Sequence, residues 1–481
     1  MKFLHHEDRV RELTYEDVFL VPQMSDVVSR MDVDLAPVDG VGMTVPVVVA
    51  NMNAVAGRRM AETVTRRGGL VVLPQDMTME RIERTVRYVK SRHHVLETPV
   101  ELDEHETIQK AINLLYKRAH GAVVVVDSGN RPVGMFMEKD ARDRDRWASL
   151  SEVMTRDLVT MTDQADPKVL FDVIRDRRIP VLPVIDTHGA LKGVVTEKGL
   201  VRSSIYKPAV NQRGELLTAV AVGINADIES KLKKLQEIGV DVFVLDTAHG
   251  AQQKMFDAVK RARAFLGDSA VIVAGNIVDE DATRKCVEAG ASIVKVGVGP
   301  GAMCTTRMMT GMGRPQFSAV SACSRVAREM GAHVWADGGV RHPRDVVMAV
   351  AAGASAAMFG SWWAGTYESA ADMQRDMDGR LFKDNFGMAS ARAVTDRNRK
   401  EVDAFKQSRK QFFEEGISHS RMYMKEGEES AEDILDKITA GLRSACTYAG
   451  ARDLAAFHER AVVGVQTPAG YKEGRPLNTR W

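Results

Sequence analysis

Short apolar runs, each closing on small or polar residues, recur along the chain and are followed by stretches with helical character. They are ValProValValValAla (45–50), LeuValValLeu (70–73), LeuThrAlaValAlaValGly (217–223) and AspValPheValLeuAsp (241–246). Further on come AlaValIleValAlaGly (270–275), SerIleValLysValGly (292–297), HisValTrpAlaAsp (333–337) and AlaAlaMetPheGly (356–360). Runs this short and this apolar suit strands buried on both faces, and eight of them alternating with helices predict an α/β fold, a (β/α)8 barrel.

The interval between the second and third runs is far too long for one helix, so a separate unit is inserted there. Laying residues 98–145 against 157–204 exposes an internal repeat, in which Asp127 answers Asp186 and Gly134 answers Gly193 at an offset of 59. GluLysAsp at 138–140 answers GluLysGly at 197–199 at the same offset. Each copy reads strand, helix, strand, strand, helix, and the pair resembles tandem cystathionine-β-synthase (CBS) regulatory modules. The expected organisation is a first barrel part (1–94), an inserted CBS pair (95–206, as 95–152 and 153–206), and a second barrel part with flap and C-terminal segment (207–481). In that module family a Ser/Thr-x-x-Asp pattern holds a ribose diol through charge-assisted hydrogen bonds. Here the first copy has Met137 with Asp140 and the second has Thr196 with Gly199, so each keeps half the pattern. A cleft for ATP or GTP and a purely structural module both stand.

Composition narrows the functional class. Sixty-six basic residues against sixty-five acidic ones leave a net charge of +1, without the basic face that a nucleic acid needs. No segment offers the roughly 18 uninterrupted apolar residues of a membrane span, and the start of the chain lacks a signal-peptide core, so a cytoplasmic location is expected. The four cysteines, Cys286, Cys304, Cys323 and Cys446, show neither paired spacing nor a zinc pattern.

The chemistry gathers at the ends of the strand runs, which in a barrel share one rim. Asn51, Asn53, Asp246, Asn276, Cys304 and Asp337 all fall there. Cys304 lies in the glycine-rich stretch GlyValGlyProGlyAlaMetCysThrThrArg (297–307), where backbone can approach a ligand closely, and it is the candidate nucleophile. AspGlyGlyVal (337–340) and PheGlySer (359–361) follow the seventh and eighth runs, the usual phosphate-binding position of this fold.

These residues resemble the inosine monophosphate dehydrogenase and guanosine monophosphate reductase superfamily nearly end to end. The likeness runs through LeuThrTyrGluAspValPheLeuValPro (13–22), AlaAsnMet (50–52), AspThrAlaHisGly (246–250), AlaGlyAsn (274–276) and the Cys304 loop. It continues in GlyArgProGln (313–316), AlaAspGlyGly (336–339), PheGlyMet (386–388) and GlyLeuArgSerAlaCysThrTyrAlaGlyAla (441–451). The resemblance implies that Cys304 attacks carbon 2 of a purine nucleotide and that Asp337 binds its ribose. Gly339, Gly360 and Ser361 would hold the 5′-phosphate, Met52, Met388 and Glu415 would meet the base, Gly387 would belong to the same substrate site, and Asp246 and Asn276 would face a nicotinamide nucleotide. It allows a monovalent cation such as K+ on carbonyls of Gly299, Gly301 and Cys304. It also implies a homo-tetramer or octamer, with no nucleic acid or membrane partner.

The two branches part after the thioimidate. A dehydrogenase must activate water, and its pattern expects AspArgTyr where this chain has Asp396, Arg397 and Asn398. SerAlaCysThrTyr (444–448) is similar to the reductase signature. The expected activity is therefore reduction of GMP to IMP and ammonia with NADPH. IMP dehydrogenase and a catalytically silent nucleotide sensor are the alternatives. Ala391 stands where reductases place a glutamate, so Thr306, aided by Glu415, is the expected proton donor. Ala302 and Phe386 replace a serine and a tyrosine that help bind phosphate, which shifts that task to backbone amides.

Overall fold

The computed structural model describes residues 1–3, 11–225, 227–388, 390, 417 and 419–476. Eight parallel strands close into a barrel. In chain order they are β1 (Val47–Val49), β2 (Leu70–Leu73), β3 (Ala219–Gly223), β4 (Val242–Asp246), β5 (Val271–Ile277), β6 (Ile293–Val296), β7 (His333–Asp337) and β8 (Ala356–Phe359). Each pairs with the next, and β8 returns to β1.

Because side chains alternate across a strand, one parity of every run points into the barrel and the other toward the helices. Val48, Leu70, Val72, Ala219, Ala221, Val242, Val244, Val273, Ile293, Trp335 and Met358 form one buried cluster, the barrel interior. The intervening residues, Val47, Val71, Val220, Phe243, Ile272, Val294 and Val334 among them, pack in the outer cluster with residues of the helices. Inside, the indole N–H of Trp335 donates to Asp39 at 3.0 Å, which satisfies the one polar atom of a large plug.

Between β2 and β3 the insert forms two three-stranded sheets of the same design. Val100–Asp103, Ala122–Val126 and Pro132–Met137 make the first; Met161–Thr162, Leu182–Ile185 and Leu191–Val195 make the second. In each, the first pair is parallel and the second antiparallel. Ala122 and Val124 of one copy pack with Val181, Leu191 and Val194 of the other, and Leu191 N–H donates to the Asn130 carbonyl at 2.8 Å. One expected element differs. The second copy ends in a helix, Glu197–Ile205, started by Thr196, whose hydroxyl accepts the Gly199 amide at 3.0 Å. The first copy has only a single turn, Glu138–Ala141, because the next residues, ArgAspArgAspArg, hold no apolar stripe to bury and Asp143 adopts a left-handed conformation (φ 56°).

Buried ion pairs join insert to barrel. Arg118 donates to Glu62 at 2.8 Å, and Arg202 donates to Glu432 at 3.1 Å and Asp433 at 2.6 Å. Glu432 also accepts from Arg67 at 2.6 Å. Burial opposes the charge on Glu62, but the Arg118 and Arg66 guanidiniums beside it hold its carboxyl well below the usual range.

Candidate active site

Where the inward-facing parity of β4, β6 and β7 reaches the carboxyl rim, the side chains stop being apolar. Asp246 follows Val244, Lys295 follows Ile293, and Asp337 follows Trp335, each two residues further along its strand. Lys295 is the hub. Its ammonium donates to Asp246 at 2.9 Å and to Asp337 at 2.8 Å, and also to the side-chain oxygen of Asn276. The Asn276 amide donates onward to the Gly297 carbonyl at 2.6 Å and to Asp337 at 3.0 Å, while Asn51 donates to Asp246 at 3.0 Å. Only 2% of the Lys295 side chain is exposed, against 17% for Asp246 and 19% for Asp337, so the cation lies beneath two carboxylates that remain open to the pocket. Burial pulls its pKa down, but the two carboxylates outweigh that and carry it above the usual lysine value. Gln316 braces the same rim, donating to the backbone carbonyls of Val296 at 2.9 Å and Asp337 at 3.1 Å.

Thus Asp246, Asn276 and Asp337, singled out from sequence, converge. Lys295 and Gln316 escaped that reading. The signal for Lys295 was its position: a lysine at an inward parity within SerIleValLysVal has to find anions inside the barrel.

After β6 the chain rises into the Cys304 loop. Cys304 is exposed, its amide donates to the Gly301 carbonyl at 3.0 Å, and its thiol donates to the Thr306 hydroxyl at 3.2 Å. Cys286, Cys323 and Cys446 are buried instead, and burial pushes each thiol up to about 12. Since the thiolate is the reactive form, iodoacetamide at pH 8 is expected to modify Cys304 alone in the native protein, and peptide mapping by mass spectrometry checks it.

The remaining predicted residues line the neighbouring strand ends. Gly360, after β8, faces the Met52 thioether so closely that a methyl group there would overlap it. Gly339, after β7, lies against the buried Tyr15 ring, and Ser361 opens the turn Ser361–Trp363. Gly387 N–H donates to the Ile417 carbonyl at 2.9 Å, and Ile417 N–H to the Met303 carbonyl at 3.3 Å, which draws the strip carrying Met388 to the nucleophile loop. Trp363 is buried and stacks on Phe359 (4.9 Å, 15°), a packing role. His249 is exposed just past β4. Glu415, Ala391 and residues 396–398 lie outside the described residues.

Comparison with known proteins agrees with this geometry. Residues 12–477 match the family described as IMP dehydrogenase / GMP reductase domain. The chain belongs to the IMP dehydrogenase / GMP reductase family. Among its relatives in that family, a GMP reductase of Mycobacterium tuberculosis is 51% identical over 481 residues, covering 100% of both chains. An inosine-5′-monophosphate dehydrogenase of Bacillus subtilis is 35% identical over 472 residues, covering 96% of this chain and 95% of its own. A crystal structure of a GMP reductase variant from Trypanosoma brucei, in complex with guanosine 5′-monophosphate, superimposes with a TM-score of 0.69. It has 30% identity and covers 99% of this chain and 100% of that one. Both branches of the family are therefore represented, and the mycobacterial reductase is nearer in sequence than the Bacillus dehydrogenase.

Proposed function

We propose that this chain is a GMP reductase, converting GMP to IMP and ammonia at the expense of NADPH. The observation that carries the reading is the exposed Cys304 thiol hydrogen-bonded to Thr306 at 3.2 Å in a chain 51% identical, over its whole length, to a GMP reductase. Cys304 Sγ bonds to carbon 2 of guanine, and the 2-amino group leaves that carbon as ammonia, taking up a proton. Thr306 delivers the proton from its place beside the sulfur, with Glu415 as its expected aid. NADPH, when bound, supplies the hydride that takes the amino group's place, after which the carbon–sulfur bond breaks and IMP departs.

Around that chemistry Asp337 would accept hydrogen bonds from the ribose hydroxyls. Backbone amides of Gly339, Gly360 and Ser361 would hold the 5′-phosphate, and Met52, Gly387 and Met388 would enclose the base. Asp246 and Asn276 would face the nicotinamide. A monovalent cation would take carbonyls of Gly299, Gly301 and Cys304, an all-oxygen set suited to a hard ion; the Gly301 carbonyl keeps a second lone pair beside its bond to the Cys304 amide. The insert, divided near residue 152, would act as a CBS pair binding ATP or GTP, on a homo-oligomer of the tetramer or octamer type. Among the described residues no helix is long and apolar enough to cross a membrane.

The test is purified protein with GMP and NADPH, following loss of the reduced-nicotinamide absorbance together with ammonia release. Equal amounts of both are expected. Turnover of IMP with NAD in place of that reaction would overturn the proposal.

A further inference from the structure

Arg307 follows the nucleophile by three residues and belongs to the short helix Thr306–Thr310. Its residue surface is largely exposed, yet its hydrocarbon stem has a defined place. Gly299 (φ +84°) stands where the Cys304 loop leaves the barrel, and Gly313 (φ +147°) where it returns. A methyl group on Gly313 would come within 2.5 Å of Arg307 Cγ and 2.7 Å of the Val298 carbonyl oxygen, and one on Gly299 would overlap the same Cγ and Cδ. Both glycines have backbone conformations that side-chain-bearing residues rarely adopt, and both leave room for one stem to lie across them. The outgoing and returning limbs therefore close on the methylenes of a single residue.

The nucleophile hangs between those limbs. Its amide is tied to Gly301, and on the returning side Gly311 N–H donates to the Arg307 carbonyl at 3.0 Å. Just beyond, Arg314 grips Glu12 through two bonds of 2.9 Å and the Val278 carbonyl through another of 2.9 Å. The base of the loop is thus anchored, and the stem of Arg307 is what spans its neck.

We infer that Arg307 is a positioning residue for Cys304, acting through its methylene stem across Gly299 and Gly313 and not through its charge. This rests on Cys304 being the nucleophile. A reacting sulfur must sit about 3 to 3.5 Å from its target carbon, and a displacement of about 1 Å costs on the order of a hundredfold in rate. An unclamped neck allows such displacements at Cys304 while the rim below, held by Lys295, stays in place.

Two variants separate stem from charge: Arg307→Met keeps an unbranched stem without the guanidinium, and Arg307→Ala removes both. Single-turnover hydride transfer with GMP and NADPH gives one readout, and iodoacetamide modification of Cys304 gives a second that needs no substrate. Arg307→Ala is expected to lower kcat by roughly 30- to 100-fold with the KM for GMP changed less than about threefold. Its Cys304 modification rate should rise by about threefold or more as the loop opens more often, with the thermal midpoint unmoved. Arg307→Met should return both readouts to within about threefold of the parent. If Met is as impaired as Ala, the charge is what acts and the inference falls; an Ala variant equal to the parent also sinks it. Parent protein inert toward GMP, but with the modification contrast intact, would overturn the reductase reading and leave the clamp standing.

Discussion

Cys304→Ala is expected to abolish GMP-dependent oxidation of NADPH, with at least about a thousandfold loss in kcat, while nucleotide binding persists. The reasoning is geometric. Cys304 is the exposed one of the four cysteines, and it is hydrogen-bonded to the residue proposed to move the proton. None of the substrate-holding groups depends on its sulfur. Asp337 is held by Lys295 and Asn276, and the turns carrying Gly339 and Gly360 follow directly on β7 and β8. Calorimetric titration with GMP should therefore give an affinity within about tenfold of the parent, while stopped-flow absorbance shows no hydride transfer. Residual turnover near the parental rate would remove the thiol from the mechanism.

Lys295→Met should be the most damaging single change to the rim. Lysine's ammonium is the common counter-ion of Asp246 and Asp337, and methionine fills a similar volume without charge. Removing one partner of a fully buried pair costs about 3–5 kcal/mol, and these carboxylates, open in part to the pocket, should lose somewhat less. The sign with pH is the same in the two proteins, but the window differs. In the parent, a lysine pKa raised above its unfolded value contributes stability that is complete below the unfolded lysine pKa, so the stability it adds is constant through neutrality and is lost only at strongly alkaline pH. In the variant, two like charges share the pocket, one carboxyl is driven upward, and stability should fall as pH rises through that raised value. Thermal unfolding at pH 5, 6, 7 and 8 checks this: a flat parent and a declining variant are expected, and a variant that is flat and undiminished would show the network to be dispensable.

The barrel was legible because its strands are apolar on both faces, a pattern that survives without knowledge of their partners. The rim was partly legible for the same reason: polar residues that end apolar runs stand out, and Asp246, Asn276 and Asp337 were found that way. Lys295 was hidden because a charge inside an apolar run looks like an interruption until the inward parity of Ile293 and Lys295 is seen. A closing helix was expected in both insert copies, and in the first the charge-dense segment from Arg142 to Arg146 leaves no apolar stripe to form one. Least legible were the pairs between insert and barrel. Arg202 and Glu432 are 230 positions apart, and no local pattern marks a guanidinium for a carboxylate that distant.

The same pairs limit how the chain can be shortened. Excising residues 95–206 to obtain a bare catalytic barrel would strip Glu62 of Arg118 and of the Thr98 hydroxyl that donates to it, and would take Arg202 from Glu432, Asp433 and Asp436. Arg66 and Arg67 would remain, one to each glutamate. A minimal enzyme would accordingly keep each glutamate with its remaining arginine and need the rest of that face made polar along with the deletion, since the barrel wall beneath the insert is built as an internal surface.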